Sequence, residues 1–167
     1  IEREDFKEEA NRKFFRLTIG KEVRLKSAYI IKGTGVVKDS SGNIVEILCE
    51  YDSKSKSGSG TEESLRKVKG TLHWVTQKDS IDITVNSYDR LFKKESPGSN
   101  ENGDFLDDIN PESLKVINAK AEPSLKQVVA GNTFQFQRKG YFTVDKKSKA
   151  DNIIFNKTVG LRDSWKK

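Results

Sequence analysis

Cysteine, histidine and methionine are scarce or missing in this sequence of 167 residues. It contains one cysteine, Cys49, one histidine, His73, and no methionine. A single cysteine cannot form an internal disulfide, and no cluster of cysteine and histidine has the spacing of zinc ligands. We therefore expect a protein of a reducing compartment that holds no metal.

Long apolar runs are also missing. No stretch of about 18 apolar residues exists, and the N-terminus has neither the basic nor the apolar region of a signal peptide. These absences predict a soluble, cytoplasmic protein that does not enter a membrane. Because the chain opens on Ile1 and lacks methionine, we also expect it to be a segment of a longer protein.

Catalytic patterns are absent as well. His73 lies between Leu72 and Trp74 in an apolar strand, where a structural role is favoured over a catalytic one. No glycine-rich phosphate loop leads into a helix, and Asp107 and Asp108 are neighbours that would face opposite ways on a strand. We expect no catalytic residue in this chain.

Charge is the property that the sequence has in excess. It carries 31 Lys and Arg against 25 Asp and Glu, for a net charge of +6. This balance favours an anionic partner such as nucleic acid, but an ordinary basic domain fits equally well. Since hydrophobic and charged residues each make up 34% of the chain, the apolar surface must form thin layers, as in small barrels.

Short apolar runs with turn signals between them predict a mainly β protein with two small β-barrels in series. An amphipathic pattern over residues 2–15 predicts a short N-terminal helix. Residues 39–43 predict a hairpin loop, and the polar stretch 53–64 predicts a mobile loop. We place the boundary near Asp89, which gives an N-terminal helix and first barrel in 1–88 and a second barrel in 89–167. The predicted strands lie at about 23–31, 44–51, 68–75, 81–85, 114–117, 134–136, 141–144 and 153–155.

Basic and amide side chains alternate with apolar ones on two of these strands. Arg24 and Lys26 alternate with Val23 and Leu25. Gln135 lies between two phenylalanines, and Arg138 follows at a turn. Because alternation puts one chemical type on each face, these side chains form either a solvated face or a face that reads unstacked RNA bases.

Eight stretches distributed along the whole chain resemble the glutaminyl-tRNA synthetases. The longer ones are IEREDF at 1–6, GKEVRL at 20–25, KGTLHWV at 69–75, YDRLF at 88–92 and FNKTVGLRD at 155–163. The shorter ones are INPESL at 109–114, AEPSL at 121–125 and FQF at 134–136. The resemblance implies the anticodon-binding C-terminal region of a class I synthetase, with barrels similar to those of some ribosomal proteins. It also implies a glutamine tRNA as partner.

The resemblance further implies an upstream catalytic domain that binds ATP with magnesium, whereas this region would be inactive alone and bind no cofactor. The two ATP signatures of class I synthetases are missing here; KSKS at 54–57 and KKSK at 146–149 resemble one of them only superficially. Because the family's barrel region begins some strands before Ile1, we expect the second, or proximal, barrel to be incomplete.

The resemblance assigns six side chains to RNA. It places Arg24 and Lys26 of the first, or distal, barrel at the first anticodon base, although lysine at 26 replaces the family's arginine. It places Arg16 at the third base, Gln135 and Arg138 at the central uracil, and Arg162 nearby.

Two alternatives stay open at this point: a glutamyl-tRNA synthetase of the eukaryotic type, and a barrel that binds ribosomal RNA or another protein.

Overall fold

The structure is a computed structural model that describes residues 1–99 and 103–161. Its described residues form nine strands, one short α-helix and three single-turn 3-10 helices. The α-helix, α1, is Glu62–Leu65, and the 3-10 helices are Arg3–Asp5, Phe105–Asp108 and Pro123–Gln127. The strands are β1 (Glu22–Leu25), β2 (Ile30–Lys38), β3 (Ile44–Tyr51), β4 (Thr71–Leu72), β5 (Ile81–Tyr88), β6 (Leu114–Ala121), β7 (Thr133–Phe136), β8 (Gly140–Val144) and β9 (Ile153–Val159). The prediction of a mainly β protein is confirmed.

The first compact unit, residues 1–74, holds a four-stranded sheet in the order β3-β2-β1-β4. β1 and β3 each pair antiparallel with β2, and β4 pairs parallel with β1. Alternation along β1 buries Val23 and leaves Glu22 exposed, as expected for a strand with one apolar face. The core of the unit is formed by Phe6, Leu17, Val23 and Leu72.

The second compact unit, residues 75–167, holds a five-stranded sheet in the order β6-β5-β9-β8-β7. β5 and β9 run parallel, and the other neighbouring strands run antiparallel. The core collects alternate residues of these strands, namely Ile83, Val85, Ala121, Phe142, Val144, Ile153 and Phe155.

The division between units falls earlier than the boundary predicted near Asp89. The predicted boundary put β5 in the first barrel. In the structure it pairs with β6 along its whole length and with β9, so its partners all belong to the second unit. These pairings explain why the contacts of the chain divide after Trp74.

The N-terminal helix predicted over residues 2–15 is limited to the single turn Arg3–Asp5. Tertiary hydrogen bonds replace the helical ones: the amide of Leu17 donates to the carbonyl of Asp5 at 3.0 Å, and the amide of Lys7 donates to the carbonyl of Leu17 at 3.2 Å. The amphipathic pattern was real, since Phe6 is buried in the core, but the backbone that carries it is extended.

The predicted strand over 23–31 is interrupted by a turn at residues 25–28 and becomes β1 and β2, and the predicted strand over 68–75 shrinks to β4. The predicted hairpin loop at 39–43 is confirmed, with the amide of Asp39 donating to Asn43 and its carboxylate accepting from the amides of Ser41 and Asn43. None of the helices in 1–99 and 103–161 is long and apolar enough to cross a membrane.

Candidate nucleic-acid interface

A tight turn at residues 25–28 connects β1 to the chain leading into β2. The amide of Ala28 donates to the carbonyl of Leu25 at 3.0 Å, which closes the turn. Ser27, the third residue of the turn, has φ +58°, a left-handed conformation that glycine and asparagine usually occupy there. The turn places Lys26 beyond the end of the strand with an exposed side chain.

The backbone of Lys26 is held on both sides. Its amide donates to the carbonyl of Leu72 at 2.9 Å. Its carbonyl accepts a hydrogen bond from the indole Nε1 of Trp74 at 3.0 Å. Lys26 is therefore an exposed ammonium group on a backbone that has little freedom to move.

Arg24, two residues earlier, has a different environment from the one that the sequence predicted. Its guanidinium points at the chain between residues 52 and 66, which we call the 52–66 loop. Its Nη1 donates to the carbonyl of Ser55 at 2.8 Å, the hydroxyl of Ser57 at 3.2 Å and the carbonyl of Ala28 at 3.5 Å, and its Nη2 donates to the carbonyls of Ser64 at 2.9 Å and Arg66 at 3.3 Å. Arg24 and Lys26 therefore do not present one shared exposed face.

The 52–66 loop is well bonded, in contrast to the mobile loop predicted for residues 53–64. Ser55 is fully buried, and its hydroxyl accepts from the amide of Ile30 at 2.8 Å and donates to the carbonyl of Asp52 at 2.6 Å. The guanidinium of Arg66 forms ion pairs with Glu22 and with Asp52. Those carboxylates, Glu22 first, raise the pKa of Arg66 above its usual value.

Arg16 is also engaged with its own unit. Its Nη1 donates to the carbonyl of Glu4 at 2.9 Å, and its Nε lies 3.5 Å from a carboxylate oxygen of Asp5. The Asp5 side chain has no exposed surface, whereas that of Arg16 is 37% exposed. Arg16 thus compensates a buried negative charge while part of its side chain still meets solvent.

In the second unit, the β7–β8 hairpin presents two further predicted residues. Gln135 is exposed between Phe134 and Phe136, both of which pack against the core, as the alternation predicted. The strand register places Gln135 directly opposite Tyr141, whose side chain is 40% exposed. Directly opposed residues of antiparallel strands have β-carbons about 5 Å apart on one face, so an amide and a phenol ring lie side by side.

Arg138 lies in the turn of this hairpin and is exposed. The amide of Lys139 donates to the carbonyl of Phe136 at 2.9 Å, and Arg138 has φ +63° as the third residue of that turn. Each unit therefore carries a basic residue that is predicted to bind RNA in a turn of the same form. The residue is Lys26 in the first unit and Arg138 in the second. Ser27 and Arg138 are the two residues other than glycine with positive φ in the described part of the chain.

Aromatic packing fixes the hairpin from its inner side. The ring of Phe136 stacks on Phe142 with centroids 4.5 Å apart, and it meets Phe155 edge to face at 5.0 Å. A β-carbon at residue 140 would overlap the carbonyl oxygen of Val159, so the backbone there leaves room only for glycine. The exposed face with Gln135 and Tyr141 is consequently built on a rigid scaffold.

The outer face continues into a polar network centred on Asn156. Its carbonyl oxygen accepts from the amide of Asn86 at 2.9 Å and from the hydroxyl of Tyr88 at 3.1 Å, and its own amide donates to Asp145. The backbone amide of Lys147 and the amide of Asn156 hold the pKa of Asp145 below its usual value. This face of the sheet offers amide, hydroxyl and carboxylate groups, together with exposed apolar side chains such as Val116, which is opposite Asn86, and Val159, which is opposite Tyr141.

Tyr141 is the candidate residue that sequence reasoning missed. The sequence identified its strand but gave the side chain no role. The pairing depends on the exact strand ends: β8 begins at residue 140, which pairs residue 135 with residue 141, whereas the strand predicted from residue 141 would have placed residue 136 there. Arg162, the sixth predicted residue, lies outside the described residues. Across 1–99 and 103–161, no group of three or more His, Cys, Asp and Glu side chains is placed to hold a metal ion.

Two family profiles match the chain, both described as the anticodon-binding domain of class I tRNA synthetases for glutamate and glutamine (E and Q). One covers residues 1–52 and the other residues 71–145. The chain belongs to this family of anticodon-binding domains. Together the two matches contain Arg16, Arg24, Lys26, Gln135 and Arg138.

Relatives of this anticodon-binding region point to glutamine. The chain is 52% identical to a glutamine–tRNA ligase of Rhodopirellula baltica, over all of this chain and 28% of that protein. It is 51% identical to the glutamine–tRNA ligases of Salmonella paratyphi B and Salmonella newport, over all of this chain and 30% of those proteins. The chain thus spans less than a third of the length of these relatives, and its predicted resemblance to the glutaminyl-tRNA synthetases is confirmed.

Proposed function

We propose that this chain recognises the anticodon loop of a glutamine tRNA as part of a glutamine–tRNA ligase. The opposed pair of Gln135 and Tyr141, beside Arg138 in the adjoining turn, is the observation that carries the proposal. RNA-binding proteins read sequence on single-stranded loops, where splayed bases stack on aromatic rings and form hydrogen bonds along their edges. The hairpin offers both kinds of contact within one short stretch of sheet.

The chemistry of this face suits uracil. Glutamine anticodons are C-U-G or U-U-G, so their central base is shared. The base edge of uracil alternates acceptor, donor and acceptor, and a carboxamide supplies both a donor and an acceptor. In this proposal Gln135 binds the edge of the central uracil, Tyr141 stacks on its face, and Arg138 contacts its edge or the neighbouring phosphate.

The remaining predicted residues belong to the flanking bases. Lys26 is assigned to the first anticodon base, where its exposed ammonium can meet an acceptor group. Arg16 is assigned to the third base, through the exposed part of its side chain, and Arg162 to the surroundings of the central uracil. Arg24 belongs to the same segment as Lys26.

The rest of the proposal concerns the whole ligase. Aminoacylation joins glutamine to the tRNA with ATP and magnesium, in a catalytic domain that this chain partners and that binds those cofactors. Anticodon contacts would select the tRNA, and the reaction would follow in the cytoplasm, where proteins are made. The length of the relatives, more than three times that of this chain, supports a division of labour between recognition and chemistry.

Binding to matched and unrelated RNA tests the proposal directly. Anisotropy titration should show that the chain prefers a glutamine anticodon stem-loop to an unrelated stem-loop. Arg138→Ala should weaken binding of the glutamine stem-loop more than that of the unrelated one. Lys126→Ala removes an exposed lysine of the same unit and should affect both RNAs alike. Equal losses for Arg138→Ala would remove Arg138 from base recognition.

The aromatic contact has its own control. Tyr141→Ala should weaken the glutamine stem-loop roughly tenfold or more, because stacking on an aromatic side chain contributes about 1–3 kcal/mol per base. Tyr141→Phe keeps the ring and should bind nearly as well as the natural chain. A competition gel shift in which 5S ribosomal RNA displaces the glutamine stem-loop would favour the ribosomal-RNA alternative instead.

A further inference from the structure

The guanidinium of Arg24 forms hydrogen bonds within its own chain. Both terminal nitrogens donate to oxygens of the 52–66 loop, 31 to 42 positions away in the sequence. An arginine that reads a base offers a fork of two parallel donors to that base. The donor groups of Arg24 already form hydrogen bonds with carbonyl and hydroxyl oxygens. These hydrogen bonds would have to break before the guanidinium could bind RNA.

Arg24 joins both ends of a loop whose other contacts are hydrogen bonds and ion pairs. One nitrogen meets the early part of the loop at Ser55 and Ser57, and the other meets its late part at Ser64 and beyond. The loop contributes no large apolar side chain to the core, and its Leu65 is 74% exposed. Polar bonds therefore hold the loop, and Arg24 spans it together with the ion pair of Arg66 with Asp52 and the hydrogen bond from the hydroxyl of Thr61 to the carbonyl of Lys54.

The loop so held lies against the turn that carries Lys26. The amide and the hydroxyl of Ser57 both donate to the carbonyl of Ala28, at 2.9 Å and 2.8 Å. Lys56 precedes Ser57, and Lys54 lies two residues earlier; both side chains are exposed. The segment that carries these two exposed lysines is thus bonded to the 25–28 turn through Ser57.

We propose that Arg24 is a positioning residue, which holds the 52–66 loop so that Lys54 and Lys56 contact anticodon-loop phosphates while Lys26 contacts the first base. The inference rests on the proposed function. It divides the labour in the first unit: Lys26 supplies discrimination, the loop lysines supply affinity, and Arg24 acts through the loop. Phosphate contacts add affinity without sequence preference, so the two classes of residue have different signatures.

The first arm of the test compares first-base preference. Affinities for stem-loops with C-U-G and U-U-G anticodons are measured for the natural chain, Arg24→Ala, Arg24→Lys and Lys26→Ala. Arg24→Ala should weaken both RNAs by the same factor, about tenfold. Arg24→Lys should behave similarly, because a single ammonium cannot span the loop, whereas Lys26→Ala should change the ratio of the two affinities.

The second arm tests coupling through the loop. Lys54→Ala/Lys56→Ala should reduce the salt dependence of binding by about 1.4 in the slope of log affinity against log salt, the value for two phosphate contacts on single-stranded RNA. In the Arg24→Ala background the same double substitution should have little further effect. A direct base reader would instead give additive losses.

The third arm needs no RNA. Amide hydrogen exchange between residues 55 and 66 should accelerate in Arg24→Ala and Arg24→Lys and stay unchanged in Lys26→Ala. If Arg24→Ala does not fold, Arg24→Lys carries all three arms.

The outcomes separate the two proposals. A change in the C-to-U ratio that is larger for Arg24→Ala than for Lys26→Ala would overturn this inference and leave the proposed function standing. Unchanged exchange in both Arg24 variants would overturn it as well. Failure of the natural chain to distinguish glutamine stem-loops from unrelated ones would overturn the proposed function itself.

Discussion

Replacing Arg16 with alanine should destabilise the first unit strongly, although Arg16 is partly exposed. The substitution removes the guanidinium whose Nε lies 3.5 Å from a carboxylate oxygen of Asp5, a side chain that has no exposed surface. It also removes a hydrogen bond to the carbonyl of Glu4. Breaking a buried ion pair by removing one partner costs about 3–5 kcal/mol, because the remaining charge stays away from water.

The structure places the expected loss at the lower end of this range. The side chain of Arg16 is 37% exposed, so water can approach the carboxylate once the arginine is gone. We therefore expect a loss of about 3 kcal/mol in the free energy of unfolding. With a urea dependence of about 1.5 kcal/mol per molar for a small unit, the midpoint should fall by about 2 M.

The assay follows Trp74, which lies in the first unit, during urea unfolding. The chain has two tryptophans, so a Trp165→Phe background leaves Trp74 as the reporter. Arg12→Ala is the matched control, since Arg12 is an exposed arginine and its loss should change stability by less than about 0.5 kcal/mol. Equal midpoints for Arg16→Ala and Arg12→Ala would refute the reasoning.

A rescue experiment separates the buried charge from lost packing. Asp5→Asn combined with Arg16→Ala replaces the buried carboxylate with a neutral amide of similar shape. The double variant should be more stable than Arg16→Ala alone, because the two substitutions interact. If it is less stable, the loss in Arg16→Ala does not come from the buried charge of Asp5. The same variants matter for RNA work, since weak binding by Arg16→Ala has to be measured where the first unit is still folded.

Two further predictions concern the second unit. In urea unfolding, Gly140→Ala should lower the free energy of unfolding by at least about 3 kcal/mol, because φ is +132° and the new β-carbon would overlap the carbonyl oxygen of Val159. Gly131→Ala is the control: residue 131 lies in open space at φ +87°, so its substitution should cost only about 1–2 kcal/mol. Hydrogen bonds from the amide of Lys147 and the side chain of Asn156 lower the pKa of Asp145 in the folded chain. The stabilising effect of Asp145 is therefore complete above the unfolded-state pKa of about 3.9. It is lost as the pH falls through the lower pKa of the folded state. The stability difference between the natural chain and Asp145→Asn should therefore be larger at about pH 6 than at about pH 2; a constant difference would contradict this assignment.

Local patterns in the sequence predicted the features whose partners are also local. The hairpin loop at residues 39–43 depends on an aspartate that bonds amides two and four positions away, so its sequence is sufficient to identify it. The alternation around Gln135 likewise predicted which side of β7 would be buried. The family resemblance added the function, which neither the charge nor the alternation could decide.

Features with distant partners were missed. The amphipathic pattern over residues 2–15 predicted a helix, but the backbone there bonds to Leu17 instead. The sequence presents Arg24 as an alternating strand residue like any other, because four of its five acceptors lie more than 30 positions further along the chain. A strand periodicity gives the direction in which a side chain leaves the sheet, and it does not show which other segment arrives there.

The two left-handed turns hold strained backbone at residues that are not glycine. Ser27 and Arg138 hold a conformation that disfavours any residue with a β-carbon by about 1–2 kcal/mol. Selection for stability alone would favour glycine at positions 27 and 138. The side chains at these positions leave each hairpin turn slightly strained. Each turn already has its final backbone conformation before a partner binds, so binding requires little further ordering.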